Sequence, residues 1–412
     1  MEKGVKYLVM VTKANNNKYY KMIPKGDIFT VEFGRLGGGT PQTATYPISQ
    51  FDRKYNEKVR KGYEDKTDLV KEVIEETDAD GDLYAPISDA AVRRIVDRLQ
   101  SMAKSKIDEN YRVSSSAVTQ KMVDEAQSLV DSLVDISGVS AFNDALLELF
   151  AVLPRKMSNV NAYLAVKTDD FADIIKREQS LLDVMRGQVV TVSAKKDDDA
   201  ENSKKGAVSD KTILDTVGIK MEPVTDDEAK HIKEMLGILS GKYVNAWKVT
   251  NTATQEAFDR RMKETGGKKE VKELWHGSRN ENWWSILTTG LMLRPTNAII
   301  NGKMFGYGLY FANKAAKSAG YMSTTGARWA GGGSRTGFLA IFDVIYGDPY
   351  IVDKSYYSYN GLGSMNYESL QKRQKGADSL HAIKGKTGLR EDEIIIYRQD
   401  QATVKYLVEV AA

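Results

Sequence analysis

The chain has no cysteine among its 412 residues, which excludes disulfides and cysteine-based zinc fingers and removes the redox clue to compartment. Histidine is scarce, limited to His231, His276 and His381. No stretch of about 18 apolar residues occurs, so no membrane span is expected. The opening "MEKGVKYLVM" alternates charged and apolar residues and has no signal-peptide core. An intracellular protein is expected, nuclear in a eukaryotic host and cytoplasmic in a bacterial or viral one. What is present is ordinary for a globular chain, with 42% apolar and 28% charged residues, and the length allows two or three domains.

Net charge is only +3, but it is uneven. Residues 1–63 carry 12 Lys/Arg against 5 Asp/Glu, a local +7 that leaves −4 for the rest. A basic module suits a polyanion partner; a solvated lysine-rich surface accounts for the charge equally well.

Residues 5–11 and 28–34, with the Gly-rich "GRLGGGTPQTATY", read as strands and tight turns, followed by a basic helix over "SQFDRKYNEKVRKGY". The acidic stretch 64–82 reads as a linker; its "DADGD" resembles a calcium loop but lacks the bidentate acid. From Ser88, read as an N-cap, the period becomes helical: Val92, Ile95, Val96, Leu99, Met102 and Ala103 share a face. Val118, Met122, Leu129, Val130, Leu133 and Val134 mark a second helix. "SAFNDALLELFAVL", ending at Pro154, gives a third, and "DFADIIKREQSLLDVMR" a fourth, together a compact bundle. The charged stretch around 193–210 is the best interdomain linker. Beyond it, "TDDEAKHIKEML" opens with a capping box that puts His231 on an exposed helical turn. "FLAIFDVIY", "EIIIY" and "VKYLVEV" have the apolar density of central strands.

Three stretches of the last 200 residues carry chemistry: "LWHGSR" at 274–279, "GKMFGYGLYFANKAAKSAGY" at 302–321 and "EDEIIIY" at 391–397. Gly306 and Gly308 do not complete a phosphate or dinucleotide loop, so they are read as permitting close approach of backbone to a flat ligand. Tyr310 and Tyr321, with Ser318 between them, offer a stacking slot edged by a hydroxyl. Singly, each has a plainer reading: a satisfied histidine, core aromatics, the polar end of a strand.

Jointly, in this order and spacing, the three resemble the catalytic domain of the poly(ADP-ribose) polymerases. "ADSLHAIKGKTG" resembles that family's approach to its glutamate strand. Upstream, "NNKYYKMIPKGDIFTVEFGRLGGGTPQTATYP" with the following basic helix is similar to a WGR domain, and the helical block is similar in position to the family's autoinhibitory helical domain. The resemblance implies a multidomain α+β chain. It would comprise a small β-rich WGR-like DNA-binding domain at 1–75, an all-α regulatory bundle at 86–190, a charged linker at 191–212 and a mixed α/β ADP-ribosyltransferase domain with an antiparallel core at 213–412.

It further implies a His-Tyr-Glu triad of His276, Tyr310 and Glu393. His276 and Ser278 would hold the adenosine ribose of NAD, and Gly277 and Ser318 the nicotinamide carboxamide. Tyr310 and Tyr321 would sandwich the ring, Lys317 would lie near the reacting ribose, and Met304 would mark the acceptor side. NAD is expected as substrate, with no metal. Breaking the nicotinamide–ribose bond builds oxocarbenium character, so a carboxylate such as Glu393 stabilises charge that exists mainly in the transition state. The expected partners are DNA ends or nicks and protein acceptors, the chain itself included; no membrane is expected.

Three departures stand out. Phe33 replaces the tryptophan of Trp-Gly-Arg, leaving Arg35 for a terminal phosphate. Met292 replaces the family's adenine-side arginine, with Arg294 as substitute two residues on. The loop "TTGARWAGGGSRTG" after Tyr321 is longer than usual. The leading expectation is a poly(ADP-ribosyl) transferase activated by DNA breaks. A mono-ADP-ribosyltransferase and an inactive DNA-end-binding scaffold remain as alternatives.

Overall fold

The computed structural model describes residues 3–35, 38–67, 84–111, 118–205, 211–296, 299, 304–325 and 332–412. The "DADGD" stretch lies outside them, as do most of the acidic linker and residues 326–331 of the long loop. The chain divides into two compact units, Met1–Gly81 with Lys104–Val189 and Asp82–Ala103 with Val190–Ala412.

In the first unit an antiparallel sheet has the order β4-β3-β2-β1-β5, from β1 (Lys6–Thr12), β2 (Asn16–Lys25), β3 (Ile28–Arg35), β4 (Gly38–Pro47) and β5 (Glu64–Asp65). The near-continuous apolar run of β1 has a physical reason, for both faces are covered. Leu8 packs with Tyr20, Met22, Phe29 and Val31 against Phe51 of helix α1 (Phe51–Arg60). Val9, on the other face, packs with Tyr19 against Ala151. Within the Gly-rich segment, read with its neighbours as strands and tight turns, residues Gly38–Pro47 form a full strand, β4, paired with β3.

The helices are α2 (Ala90–Asn110), α3 (Gln120–Ser132), α4 (Val139–Val152) and α5 (Phe171–Lys205). The cap of α2 is Asp89 rather than Ser88: its Oδ1 accepts the amides of Ala91 and Val92. Helix α5 continues through Gly187 into the stretch predicted as a charged linker. Lysine, glutamate and alanine are good helix formers, so their charge does not by itself end a helix. In the first unit, fully buried Arg155 pairs with Glu178 and donates to the Asn110 carbonyl. Its guanidinium lies over the rings of Tyr111 and Tyr163 at 5.2 and 5.6 Å.

Among the described residues the second unit holds two sheets. One has the order β6-β7-β14-β10-β8: β6 (Ile219–Pro223), β7 (Tyr243–Asn251), β8 (Val271–Gly277), β10 (Thr336–Ile345) and β14 (Ala402–Ala411), all antiparallel. The other runs β11-β12-β13-β9, from β9 (Leu309–Phe311), β11 (Pro349–Val352), β12 (Ser379–Ala382) and β13 (Glu393–Ile396), with only β11 and β12 parallel. The predicted capping box is present: Thr225 and Glu228 exchange bonds at the start of the helix Asp226–Leu236, whose His231 is exposed and paired with Glu273 at 2.5 Å. Also in this unit, Arg98 of α2 pairs with Glu409 at 2.5 Å and lies over the Phe338 ring.

Removing one partner of the buried pair is the sharpest stability test. Glu178→Ala leaves a guanidinium buried without its carboxylate, and the expected loss is about 3–5 kcal/mol, read from the urea midpoint for the first unit. A change under about 0.5 kcal/mol would show that the pair is not desolvated.

Candidate active site

The two sheets of the second unit meet where Trp275 of β8 and Ala312 exchange backbone hydrogen bonds of 2.8 and 2.9 Å. Trp275 is fully buried, and alternation sends the next side chain, His276, the other way. His276 Nδ1 lies 3.0 Å from the Tyr310 carbonyl. A carbonyl only accepts, so Nδ1 carries the proton and Nε2 is left as an acceptor. Burial holds the imidazole below its ordinary pKa, against the opposing pull of that carbonyl, and it stays neutral. The rings of Phe311, Phe342 and Trp283 surround it at 5.8, 6.0 and 6.4 Å.

At Gly277 any side chain is excluded, because a Cβ there would fall 2.0 Å from the Ser318 carbonyl oxygen. Ser318 lies on the short helix Ala315–Ala319 and donates its hydroxyl to the Trp275 carbonyl at 3.2 Å. The end of β8 and this helix are thus in direct backbone contact. Ser278 Oγ accepts from Asn282 Nδ2 at 3.1 Å.

The Tyr310 hydroxyl is fully engaged, accepting the Phe305 amide at 3.1 Å and donating to the Gly306 carbonyl at 3.0 Å. Only its ring face is left for a ligand. Burial raises its pKa, and the charge of Glu393 adds to the rise. Tyr321 is pushed up to about 12 by the same two causes. Glu393, 9% exposed at the head of β13, pairs with Lys317 Nζ at 2.7 Å. Lys317 also donates to the Glu391 carbonyl at 3.2 Å. His276, Gly277, Tyr310, Lys317, Ser318, Tyr321 and Glu393 are therefore linked in one region.

The remaining predicted residues make contacts of their own, and Met304 shares its apolar cluster with Tyr310. Arg294 is buried, next to Leu293, whose amide donates to Gln399 at 2.8 Å. Met304 is half-buried against the cluster of Phe305, Leu362, Met365 and Leu380. In the first unit, Phe33 packs on Tyr20 with ring centroids 5.9 Å apart. The Arg35 guanidinium donates to the carbonyl and side chain of Asn15, at 3.1 and 2.8 Å, and to the Ser158 carbonyl at 2.9 Å.

The reading of Gly306 and Gly308 as ligand-facing is corrected. Gly306 has a φ of +72°, and a Cβ there would fall 2.2 Å from the Met365 carbonyl oxygen. At Gly308 it would meet Ile395 Cγ2 at 2.2 Å. Both glycines permit contact with protein rather than ligand. Sequence reasoning also missed Tyr397, whose hydroxyl donates to the Phe305 carbonyl at 2.6 Å and fixes the Met304-bearing segment from behind. Its place one residue past β13, at the same alternation as Glu393 and Ile395, was the available signal.

The two joined sheets, with histidine, tyrosine and glutamate brought into one region, have the make-up of an NAD+ ADP-ribosyltransferase domain. Residues 229–412 match the family model described as the poly(ADP-ribose) polymerase catalytic domain, and residues 6–70 match the WGR domain. The chain is 31% identical over 185 residues to a putative poly [ADP-ribose] polymerase-like protein, 100L, of Invertebrate iridescent virus 6, covering 94% of that relative and 45% of this chain. It is 31% identical over 157 residues to poly [ADP-ribose] polymerase 2 of Zea mays, with 33% of this chain and 23% of that one aligned. Against poly [ADP-ribose] polymerase 1 of Danio rerio, identity is 23% over 383 residues, 84% of this chain and 36% of the relative. The chain belongs to the poly(ADP-ribose) polymerase family and is an NAD+ ADP-ribosyltransferase, with NAD as its substrate. Among the described residues no helix is long and apolar enough to cross a membrane.

Gly306→Ala should lose about 1–3 kcal/mol from left-handed backbone strain and the Met365 clash together. That corresponds to a drop of several degrees in Tm by calorimetry; an unchanged Tm would mean that this loop relaxes freely.

Proposed function

We propose that the chain is a poly(ADP-ribosyl) transferase that responds to DNA breaks. In this reading residues 1–75 engage DNA, 86–190 restrain NAD access, 191–212 connect, and 213–412 perform the chemistry. The observation that carries polymer formation is Glu393, buried beside Tyr310 and Tyr321 and held by Lys317.

His276 Nε2 accepts a hydroxyl of the adenosine ribose, with Ser278 alongside, and Arg294 serves the adenine side. The Gly277 backbone and the Ser318 hydroxyl hold the carboxamide, with the nicotinamide ring between the faces of Tyr310 and Tyr321. Glu393 hydrogen-bonds the nicotinamide-side ribose and stabilises its oxocarbenium character as the C–N bond breaks and nicotinamide leaves with the electron pair. An acceptor hydroxyl, arriving past Met304, then attacks the anomeric carbon, and its proton goes to Glu393. The acceptors are proteins, this chain included, and the ends of growing ADP-ribose chains.

A second reading, activity without DNA, has its own support. The Arg35 guanidinium is engaged by Asn15 and Ser158, and Phe33 is packed on Tyr20, so both already have protein partners. Automodification with labelled NAD, with and without nicked DNA, separates the readings. A DNA-stimulated ladder supports the first reading, a DNA-independent ladder the second, and a single modified band indicates mono-transfer. In each, Glu393→Gln should lower the rate by about 10²–10³-fold, and an unchanged rate would remove Glu393 from the chemistry.

The neutral His276 carries a pH signature. Its folded pKa is depressed, so the stability it contributes is present above the unfolded value of about 6.5 and is lost as pH falls through the lower folded value. The KM for NAD should stay flat from pH 8 to about 6.5 and rise only below it; a rise centred at about pH 6.5 would mean the imidazole titrates freely.

A further inference from the structure

The residue before Glu393 is tied down more heavily than Glu393 itself. Asp392 Oδ1 accepts the Lys384 amide at 2.8 Å, and Oδ2 accepts from Asn313 Nδ2 at 3.1 Å. His381 Nε2 faces the same Oδ2 at 3.5 Å. The other ring nitrogen of His381 lies 2.9 Å from the hydroxyl of Tyr346, itself buried. Electrostatics choose the tautomer here. A lone pair on Nε2 would point at a carboxylate oxygen, so Nε2 carries the hydrogen and Nδ1 accepts from the Tyr346 hydroxyl. Burial works against the Asp392 charge, but the Lys384 amide and the neighbouring His381 outweigh it and hold the carboxyl below its usual range.

These ties converge on one short segment. Asn313 lies between Tyr310 and Lys317, directly before the helix that carries Lys317 and Ser318. Three consecutive residues are therefore fastened to it: Glu391 through its carbonyl to Lys317, Asp392 to Asn313, and Glu393 to Lys317. On the other side, the Lys384 amide just past β12 binds Asp392, while His381, the register partner of Ile394, only approaches it at 3.5 Å without a hydrogen bond. The lysine bond can exchange for substrate, whereas the Asp392 ties face away from Glu393 along an extended chain and need not break when substrate binds.

We infer that Asp392, steadied by Asn313 and the Lys384 amide, is a positioning residue that aims the Glu393 carboxylate at the reacting ribose. The inference rests on the reading of Glu393 as the catalytic carboxylate. Aim matters because displacement of a reacting group by about 1 Å can cost about 100-fold in rate. Nothing in this network touches the nicotinamide-holding pair Gly277 and Ser318, so its loss should act on kcat and spare binding.

The test uses the full chain with labelled NAD. Asp392→Ala should lower kcat by about 10–100-fold. KM should stay within about twofold, and free nicotinamide should bind as in the unaltered chain by calorimetry. Asn313→Ala, an exposed change, should lower kcat by roughly tenfold at most, with KM again unchanged. The double variant should match Asp392→Ala alone, because both act through one carboxylate. An Asp392→Ala enzyme with unaltered kcat overturns the inference, as does one in which kcat and nicotinamide binding fall together, the mark of general disruption. Should that variant not fold, Asn313→Ala decides alone, and an unchanged kcat there overturns the inference. Glu393→Gln is run beside them: if it stays active, the underlying reading of Glu393 fails. If it is inactive while the Asp392 and Asn313 variants are normal, only the positioning role fails.

Discussion

Two reciprocal amide hydrogen bonds between Trp275 and Ala312 join the sheets of the catalytic half, and the site depends on them. Because that pairing sets the register of β8 against the segment following β9, the next residue, His276, meets the carbonyl of Tyr310. One residue further, Gly277 is pressed on the Ser318 carbonyl so closely that no side chain fits. A slip of one residue would exchange the faces of Trp275 and His276, taking the indole out of the core and the imidazole away from the Tyr310 carbonyl. The register is therefore defended by the burial of Trp275 as much as by its two bonds.

Legibility in the sequence followed the range of the forces involved. Local signals read well. The Thr225–Glu228 capping box, the helix ending before Pro154 and the dense apolar strands β10 and β14 all stand where periodicity put them. Less legible was anything decided by distant partners. Strand β4 hides in a Gly-rich run because its ladder with β3, not its own propensity, makes it a strand. Helix α5 runs on through charged residues that are as compatible with a solvated helix as with a loose connector. At the site, the motifs named His276, Tyr310 and Glu393, but they could not show that the Tyr310 hydroxyl is closed off by Phe305 and Gly306. The anchoring of Asp392 was invisible too, since it needs the pairing of β12 with β13 to bring Lys384 and His381 beside it.

Arg35 shows how the same side chain can serve structure or recognition. A guanidinium has five donors in a rigid fork, and that of Arg35 meets three oxygens from Asn15 and Ser158. Asn15 itself has a left-handed backbone, with φ of 60°, and its side chain also accepts the Val160 amide. An arginine that organises a turn in this way loses hydrogen bonds when it turns to a phosphate, so its affinity for one is reduced by what it leaves behind.

The lack of cysteine acquires a chemical meaning once the site is placed. Electrophiles and oxidants that silence enzymes by capturing a thiolate find no such atom anywhere in this chain. The sulfur beside the cleft is thioether: Met304 is half-buried, and Met365, fully buried, turns its sulfur toward Arg373 Nε at 3.2 Å. Thioether oxidation stops at a sulfoxide that reductases can reverse, and burial shields Met365 from it. In the proposed reading catalysis rests on a carboxylate, an imidazole and phenol rings, none of them a thiolate for such agents to capture.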